Sequence, residues 1–170
     1  GCRTTIGISV YPSPAPISGI TSICPGATTT LSDPTFGGTW SSSTPATATI
    51  GSSTGVVTGL VPGTTVISYT LFPTGCFAAT TVTVTPPPAA ISGPTNVCVG
   101  VSITLSDATP GGIWSSSAPA VATVGSLTGI VTGILGGTAT ITYSTGAGCR
   151  AVLTITINPG PAPITGLSTL

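Results

Sequence analysis

A stretch of this chain is written twice. Gly37-Gly38-Thr39-Trp40-Ser41-Ser42-Ser43 returns 74 positions later as Gly111-Gly112-Ile113-Trp114-Ser115-Ser116-Ser117, and no third tryptophan is present. Cys24 maps to Cys98, Asp33 to Asp107, Gly55 to Gly129 and Tyr69 to Tyr143 on the same spacing. That period exceeds a solenoid turn, whose repeats run about 20–50 residues, and it holds several strand-like runs. It specifies one small domain per repeat, so the 170 residues are read as two domains.

A domain that small buries only roughly 60–65% of its unfolded surface, so a staple is expected. Each complete repeat carries two cysteines, Cys24 with Cys76 and Cys98 with Cys149, and Cys2 is left over. With no CxxC and no histidine, disulfides are expected rather than zinc. A pair closing about 50 residues contributes roughly 4 kcal/mol per domain in the chain-entropy picture. Disulfides in turn imply an oxidising compartment, so the expected location is extracellular, at the cell surface.

Only Arg3, Arg150, Asp33 and Asp107 are charged. A surface without charge repulsion favours association. Either sugar covers it or association is the intended state. Nucleic-acid binding is excluded, because nothing here neutralises phosphates. No apolar run reaches the length of a membrane span, so no membrane insertion is expected, and no signal peptide is read. The chain opens at Gly1-Cys2 inside a repeat, and it ends at Leu170 just before the position where the register demands the next cysteine; both suggest a window on a longer array.

Between the linkers every signal is β. Thr29–Leu31, Thr39–Ser41, Ala48–Ile50, Val56–Thr58, Thr65–Tyr69 and Ala79–Thr85 are short β-branched runs parted by Gly, Pro, Ser and Asp clusters. Ala139, Ile141 and Tyr143 alternate with Thr138, Thr140 and Thr142, giving one buried and one wet face. No window predicts a helix. About seven strands with a tryptophan between two cysteines suggest an immunoglobulin-like sandwich, its Trp packed on a cross-sheet disulfide. The reading is all-β: tandem immunoglobulin-like β-sandwich domains, one disulfide each, joined by Pro-rich linkers. Residues 1–11 are expected to be the last strand of a preceding repeat, 12–16 a linker and 17–85 the first domain. Residues 86–90 form the next linker, 91–158 the second domain, 159–163 a third linker and 164–170 the first strand of a following repeat. The proline clusters make short, semi-rigid polyproline II spacers.

The succession at residues 40–43, 48–51, 54–59 and 137–143 (Trp-Ser-Ser-Ser, Ala-Thr-Ile-Gly, Thr-Gly-Val-Val-Thr-Gly, Gly-Thr-Ala-Thr-Ile-Thr-Tyr) resembles bacterial Ig-like group 2 repeats of the intimin and invasin type. Cys24-Pro25-Gly26, Cys98-Val99-Gly100 and the late Gly-Cys are similar to a disulfide-bearing version in long secreted surface proteins of Bacteroidota. The resemblance implies spacer modules without a shared active site.

Candidate chemistry is sparse. No histidine, lysine or glutamate is present to activate the many serines and threonines, so no enzyme, cofactor or catalytic residue is expected. Asp33 and Asp107 belong to different domains and are expected to accept backbone N–H bonds in turns. One carboxylate per domain is too few for calcium, so no metal site is expected. Without lysine, intramolecular Lys–Asn cross-links are excluded. Leu71-Phe72-Pro73-Thr74-Gly75 is a loop rather than a sorting signal, its proline being misplaced. Arg3 and Arg150 follow equivalent cysteines, and Phe77 takes that place in the middle copy. The rows Thr81-Val82-Thr83-Val84-Thr85 and Thr138–Thr142 resemble ice-binding ladders, but threonine is simply favoured on a wet strand face and a twisted sheet lacks a flat lattice. Their hydroxyls are candidate O-glycosylation positions, whereas no N-glycosylation sequon exists.

The expected site residues are therefore structural. Cys24, Cys76, Cys98 and Cys149 form the staples, and Cys2 an inter-repeat disulfide to a preceding domain. Trp40, Trp114, Tyr69 and Tyr143 are core, and Asp33 and Asp107 turn residues. The expected function is a disulfide-stapled spacer array in an extracellular bacterial filament or adhesin stalk. Its partners are further copies or further repeats, with O-linked glycans as candidates. The alternatives are a glycan- or host-binding adhesin module and a pilus-like polymer assembled by strand complementation.

Overall fold

The computed structural model describes residues 3–4, 6–7 and 10–160. Cys2 and the expected strand at 164–170 lie outside them, and the described residues of 1–11 carry no strand. The chain divides into two units, Gly1–Pro86 and Pro87–Leu170.

The β-branched runs become short strands because branched side chains fit a pleated, half-buried surface and the Gly, Pro and Asp clusters between them turn the chain. In the first unit these are β1 (Ser22–Ile23), β2 (Thr28–Thr30), β3 (Gly38–Ser42), β4 (Ala48–Ile50), β5 (Val56–Gly59), β6 (Gly63–Leu71) and β7 (Phe77–Val84). They form a four-stranded sheet, β1-β7-β6-β3, and a three-stranded sheet, β2-β5-β4. The second unit repeats the plan with β8 (Asn96–Cys98), β9 (Ser102–Thr104), β10 (Ile113–Ser116), β11 (Ala122–Val124), β12 (Ile130–Gly133), β13 (Gly137–Ser144) and β14 (Arg150–Asn158). Its sheets run β8-β14-β13-β10 and β9-β12-β11. A 3-10 turn at Gly146–Gly148 is one local departure from the all-β expectation.

Period-two alternation places the core. Along β13, Ala139, Ile141 and Tyr143 are buried while Thr138 is exposed. Inward residues from both sheets of the first unit meet in one cluster: Ile23, Leu31, Trp40, Ala48, Val57, Ile67, Tyr69, Val82 and Val84. The second unit has the matching cluster around Trp114, Ile141 and Ile155. Burying one such aliphatic side chain contributes about 1.5–3 kcal/mol.

The first and last strands of each unit pair in parallel, Ser22 with Thr83 and Ile23 with Val84, then Thr156 with Asn96 and Asn158 with Cys98. This pairing defines two poles. At the proximal pole the chain comes in, pinned by the Ala15 amide donating to Thr35 Oγ1 and the Ala89 amide to Thr109 Oγ1. At the distal pole it leaves past Val84 or Asn158.

The poles correct the expected staples. Cys24 follows Ile23 at the distal pole, whereas Cys76 lies in the β6–β7 hairpin at the proximal one, its carbonyl accepting from the Leu71 amide. The length of β7 separates them, about 25–30 Å at about 3.3 Å per residue, against the roughly 4.4–6.8 Å between Cα atoms that a disulfide allows. Cys98 and Cys149 are divided likewise by the nine residues of β14. Accordingly Cys76 and Cys98 are free thiols, while Cys24 and Cys149 are disulfide-bonded. Neither pair expected within a repeat, Cys24–Cys76 or Cys98–Cys149, is formed, and the loop-closing contribution assigned to them is absent. The tryptophans do not pack on a cross-sheet disulfide either. Trp40 packs on Tyr69, its register partner across β3 and β6, with ring centroids 4.7 Å apart.

Candidate functional site: an aromatic cleft and two cysteine-bearing poles

The proximal half of the first unit holds an open cleft of about 380 Å³ lined by Leu31, Asp33, Phe36, Gly38, Trp40 and Tyr69, among others. β3 and β6 aim Trp40 and Tyr69 inward, and the ring of Tyr69 lies flat over Gly38. A Cβ on Gly38 would sit 2.5 Å from that ring, so glycine is required there for close approach rather than for a special φ. The Tyr69 hydroxyl accepts the Gly38 amide at 3.0 Å and donates to the Thr35 carbonyl at 2.6 Å. The second unit reproduces the pair, Trp114 and Tyr143 at 4.6 Å, with Tyr143 donating to Thr109.

Asp33 and Asp107 begin the loop that Tyr69 and Tyr143 hold. Asp33 Oδ1 accepts the Thr35 amide at 2.8 Å and Asp107 Oδ1 the Thr109 amide at 2.7 Å. Each is an Asx turn, which fixes the loop that delivers the backbone carbonyl to the tyrosine. The second carboxylate oxygen of each is buried without a protein hydrogen-bond partner. Within one cleft this arrangement provides a single carboxylate, two rings and backbone groups, and no base positioned against a nucleophile. Among the described residues no group of three or more His, Cys, Asp or Glu is placed to hold a metal.

Several features escaped the sequence reading. Phe36 (96% exposed), Phe72 (88%) and Phe77 (61%) all stand at the proximal pole of the first unit. In the second repeat Pro110 and Arg150 occupy the positions of Phe36 and Phe77. That asymmetry between copies was the available signal. The distal pole of the second unit also carries exposed Val99, Val101, Ile134 and Leu135 around Cys98. Thr81, Thr83, Thr138 and Thr154 are exposed on the outer face of the larger sheets. No described helix is long and apolar enough to cross a membrane.

Seven strands in two sheets, with parallel first and last strands and a tryptophan on the third, make each unit an immunoglobulin-like sandwich module. Residues 78–155, from β7 through most of β14, match the bacterial Ig-like domain (group 2) family. The chain is similar to a C-terminal 282-residue fragment of intimin, crystallised with the intimin-binding domain of the translocated intimin receptor. The two are 20% identical with a TM-score of 0.53, covering 86% of this chain and 65% of that fragment. It is also similar to domains 4 and 5 of the S-layer protein SbsC, at 17% identity and a TM-score of 0.43, covering 86% of this chain and 99% of that one. A comparison with curated proteins finds no match.

Proposed function

We propose that this chain is a spacer segment of an extracellular bacterial surface fibre or adhesin stalk, with no catalytic role. The observation that carries the reading is the polarity of each unit: the chain comes in at one pole and leaves at the other. Every module therefore advances the polypeptide by about the length of its long strands, about 25–30 Å at about 3.3 Å per residue. A compact enzyme has no use for that spacing, and a stalk requires it. The nearly uncharged surface, with four charged side chains in all, lets neighbouring modules or neighbouring fibres pack without repulsion. Exposed threonines such as Thr81, Thr83, Thr138 and Thr154 offer hydroxyls for O-linked glycans. Strand complementation between subunits is disfavoured, because the described residues of each unit already pair seven strands of its own.

A second reading has its own observation. Phe36 stands exposed beside the cleft that the buried rings of Trp40 and Tyr69 floor, and an exposed aromatic ring with one carboxylate nearby suits the apolar face and hydroxyls of a sugar. In that reading the first module is an adhesin that binds glycan and the second presents it.

Immunogold labelling of intact producing cells, with negative-stain microscopy of the purified chain, tests the proposal. Label on surface filaments and elongated particles support it. Label confined to the cytoplasm, or tight glycan binding lost in Phe36→Ala and Trp40→Ala, overturns it.

A further inference from the structure

We propose that the free thiols Cys98 and Cys76 are the two halves of a covalent head-to-tail joint between copies of this chain. The distal pole of one copy closes by a disulfide onto the proximal pole of the next. The inference rests on reading the chain as a fibre segment and gives that fibre its longitudinal bond.

Three observations converge. Among the described residues each unit carries one cysteine at each pole, and the strand lengths that separate the poles forbid a bond between them within a unit. The repeat counterparts of the two free thiols are both engaged: Cys24, the counterpart of Cys98, and Cys149, the counterpart of Cys76, are disulfide-bonded. Distal and proximal cysteines of this repeat are therefore bond-forming positions, and among the described residues the two free thiols are one of each kind.

The surroundings of the two thiols also match. Cys98 is exposed, and its carbonyl accepts the Val101 amide in a turn that leaves Val99 and Val101 facing outward. Ile134 and Leu135 extend that apolar rim, since Gly133 next to them is bonded to Gly100. Cys76, partly exposed, is flanked by the outward rings of Phe72 and Phe77, with Phe36 on the neighbouring loop. The rim side chains named here are all uncharged, and the nearby Asp33 carboxylate is turned onto the Thr35 amide of its own loop, so an apolar surface meets an apolar surface with little repulsion. Joining two rims of the same kind would reverse the chain direction at the joint. Distal-to-proximal is the order in which the polypeptide already strings its own repeats. Such a heterologous contact propagates instead of closing on itself.

The chemistry is thiol–disulfide exchange and needs a disulfide oxidant, in the cell one of the thiol–disulfide oxidoreductase class and in vitro oxidised glutathione. Cys76 first exchanges with glutathione disulfide, forming a mixed disulfide and releasing one glutathione. The Cys98 thiolate of the second copy then attacks the Cys76 sulfur, expels the second glutathione and forms the joint. Two protein thiols and one glutathione disulfide give one protein disulfide and two glutathiones.

The test uses the full chain with Cys2→Ser, as C2S, C2S/C76S and C2S/C98S, oxidised by glutathione disulfide and mapped by non-reducing peptide mass spectrometry. C2S should give a ladder of multimers linked Cys76 to Cys98. The two double variants should form dimers when mixed and end as glutathione-capped monomers when alone. In the mixture the Cys76–Cys98 peptide should exceed either same-site peptide by about tenfold or more. Same-site dimers in statistical proportion, or thiols that accept glutathione and never cross-link, overturn the joint. Filaments that persist in C2S/C76S/C98S would sink the joint and leave the stalk reading standing. A cytoplasmic location would sink the stalk reading whatever the thiols do.

Discussion

The hydroxyl of Tyr69 donates to the carbonyl of Thr35 at 2.6 Å, tying a long central strand to the loop that opens the proximal pole. The same oxygen accepts the Gly38 amide, so one side chain satisfies two backbone groups on either side of a turn. Removing it leaves both partly buried groups short of a partner, at a cost of about 1–3 kcal/mol. Tyr69→Phe should therefore lower the stability of the first unit by about 1–2 kcal/mol, read as a shift in the urea midpoint at unchanged slope. Tyr143→Phe should do the same to the second. An unchanged midpoint in both would show that the bridge carries no net stability.

The close approach of that ring makes a sharper comparison. Gly38→Ala drives a methyl into the Tyr69 ring, an overpacking cost of about 1–3 kcal/mol. Gly37→Ala, whose Cβ would meet nothing within 4 Å, carries only the penalty of its φ of 87°. That penalty is about 1–2 kcal/mol. Gly38→Ala should lower the melting temperature more than Gly37→Ala, and the reverse order in calorimetry would count against the packing described.

Thr65 is a buried hydroxyl in the first core, 2% exposed, where the second repeat has Ala139. Its oxygen accepts the Thr44 amide at 3.0 Å and lies 2.9 Å from Ser42 Oγ, which donates to the Ala48 carbonyl. In the second unit the Ser116 hydroxyl takes the corresponding Ala118 amide instead. Thr65→Ala should cost about 1–2 kcal/mol by orphaning the Thr44 amide. Thr65→Ser should recover most of it, losing only the methyl, about 0.8 kcal/mol. Equal destabilisation by Ala and Ser in chemical denaturation would mean that volume, not the hydrogen bond, decides.

The free thiols separate two accounts of how the modules are held. Cys76→Ser and Cys98→Ser should each leave the unfolding free energy within about 0.5 kcal/mol of the parent, as surface substitutions do. A staple inside each repeat would instead cost roughly 4 kcal/mol on removal. Guanidinium titrations without reductant distinguish the two outcomes directly.

Much of the β framework was legible because period-two alternation is a local property. Ala139, Ile141 and Tyr143 face the core for the same reason that Thr138 does not. The strand β1 was missed because two residues hold no periodicity, and its partner Thr83 lies 61 positions away from Ser22. That single parallel pairing decides which end of the sandwich receives Cys24. Spacing along a chain says how many residues a loop would close; it does not say at which end of a sheet the two residues emerge. The cluster of Phe36, Phe72 and Phe77 was hidden similarly, since residues from a loop, a hairpin and a strand converge only once β3, β6 and β7 are in register.

The parallel seam between first and last strands has a mechanical meaning. In the first unit its hydrogen bonds run from the Thr83 amide to the Thr21 carbonyl and from the Thr85 amide to the Ile23 carbonyl, both 2.8 Å. The second unit repeats it with the Thr156 amide on the Thr95 carbonyl at 2.7 Å. Tension arriving through the two ends of a module pulls these strands past each other along their own axis. The bonds are then loaded together in shear, and none is peeled open ahead of the rest. A module loaded through its two ends in this way yields abruptly at one force and does not unravel link by link.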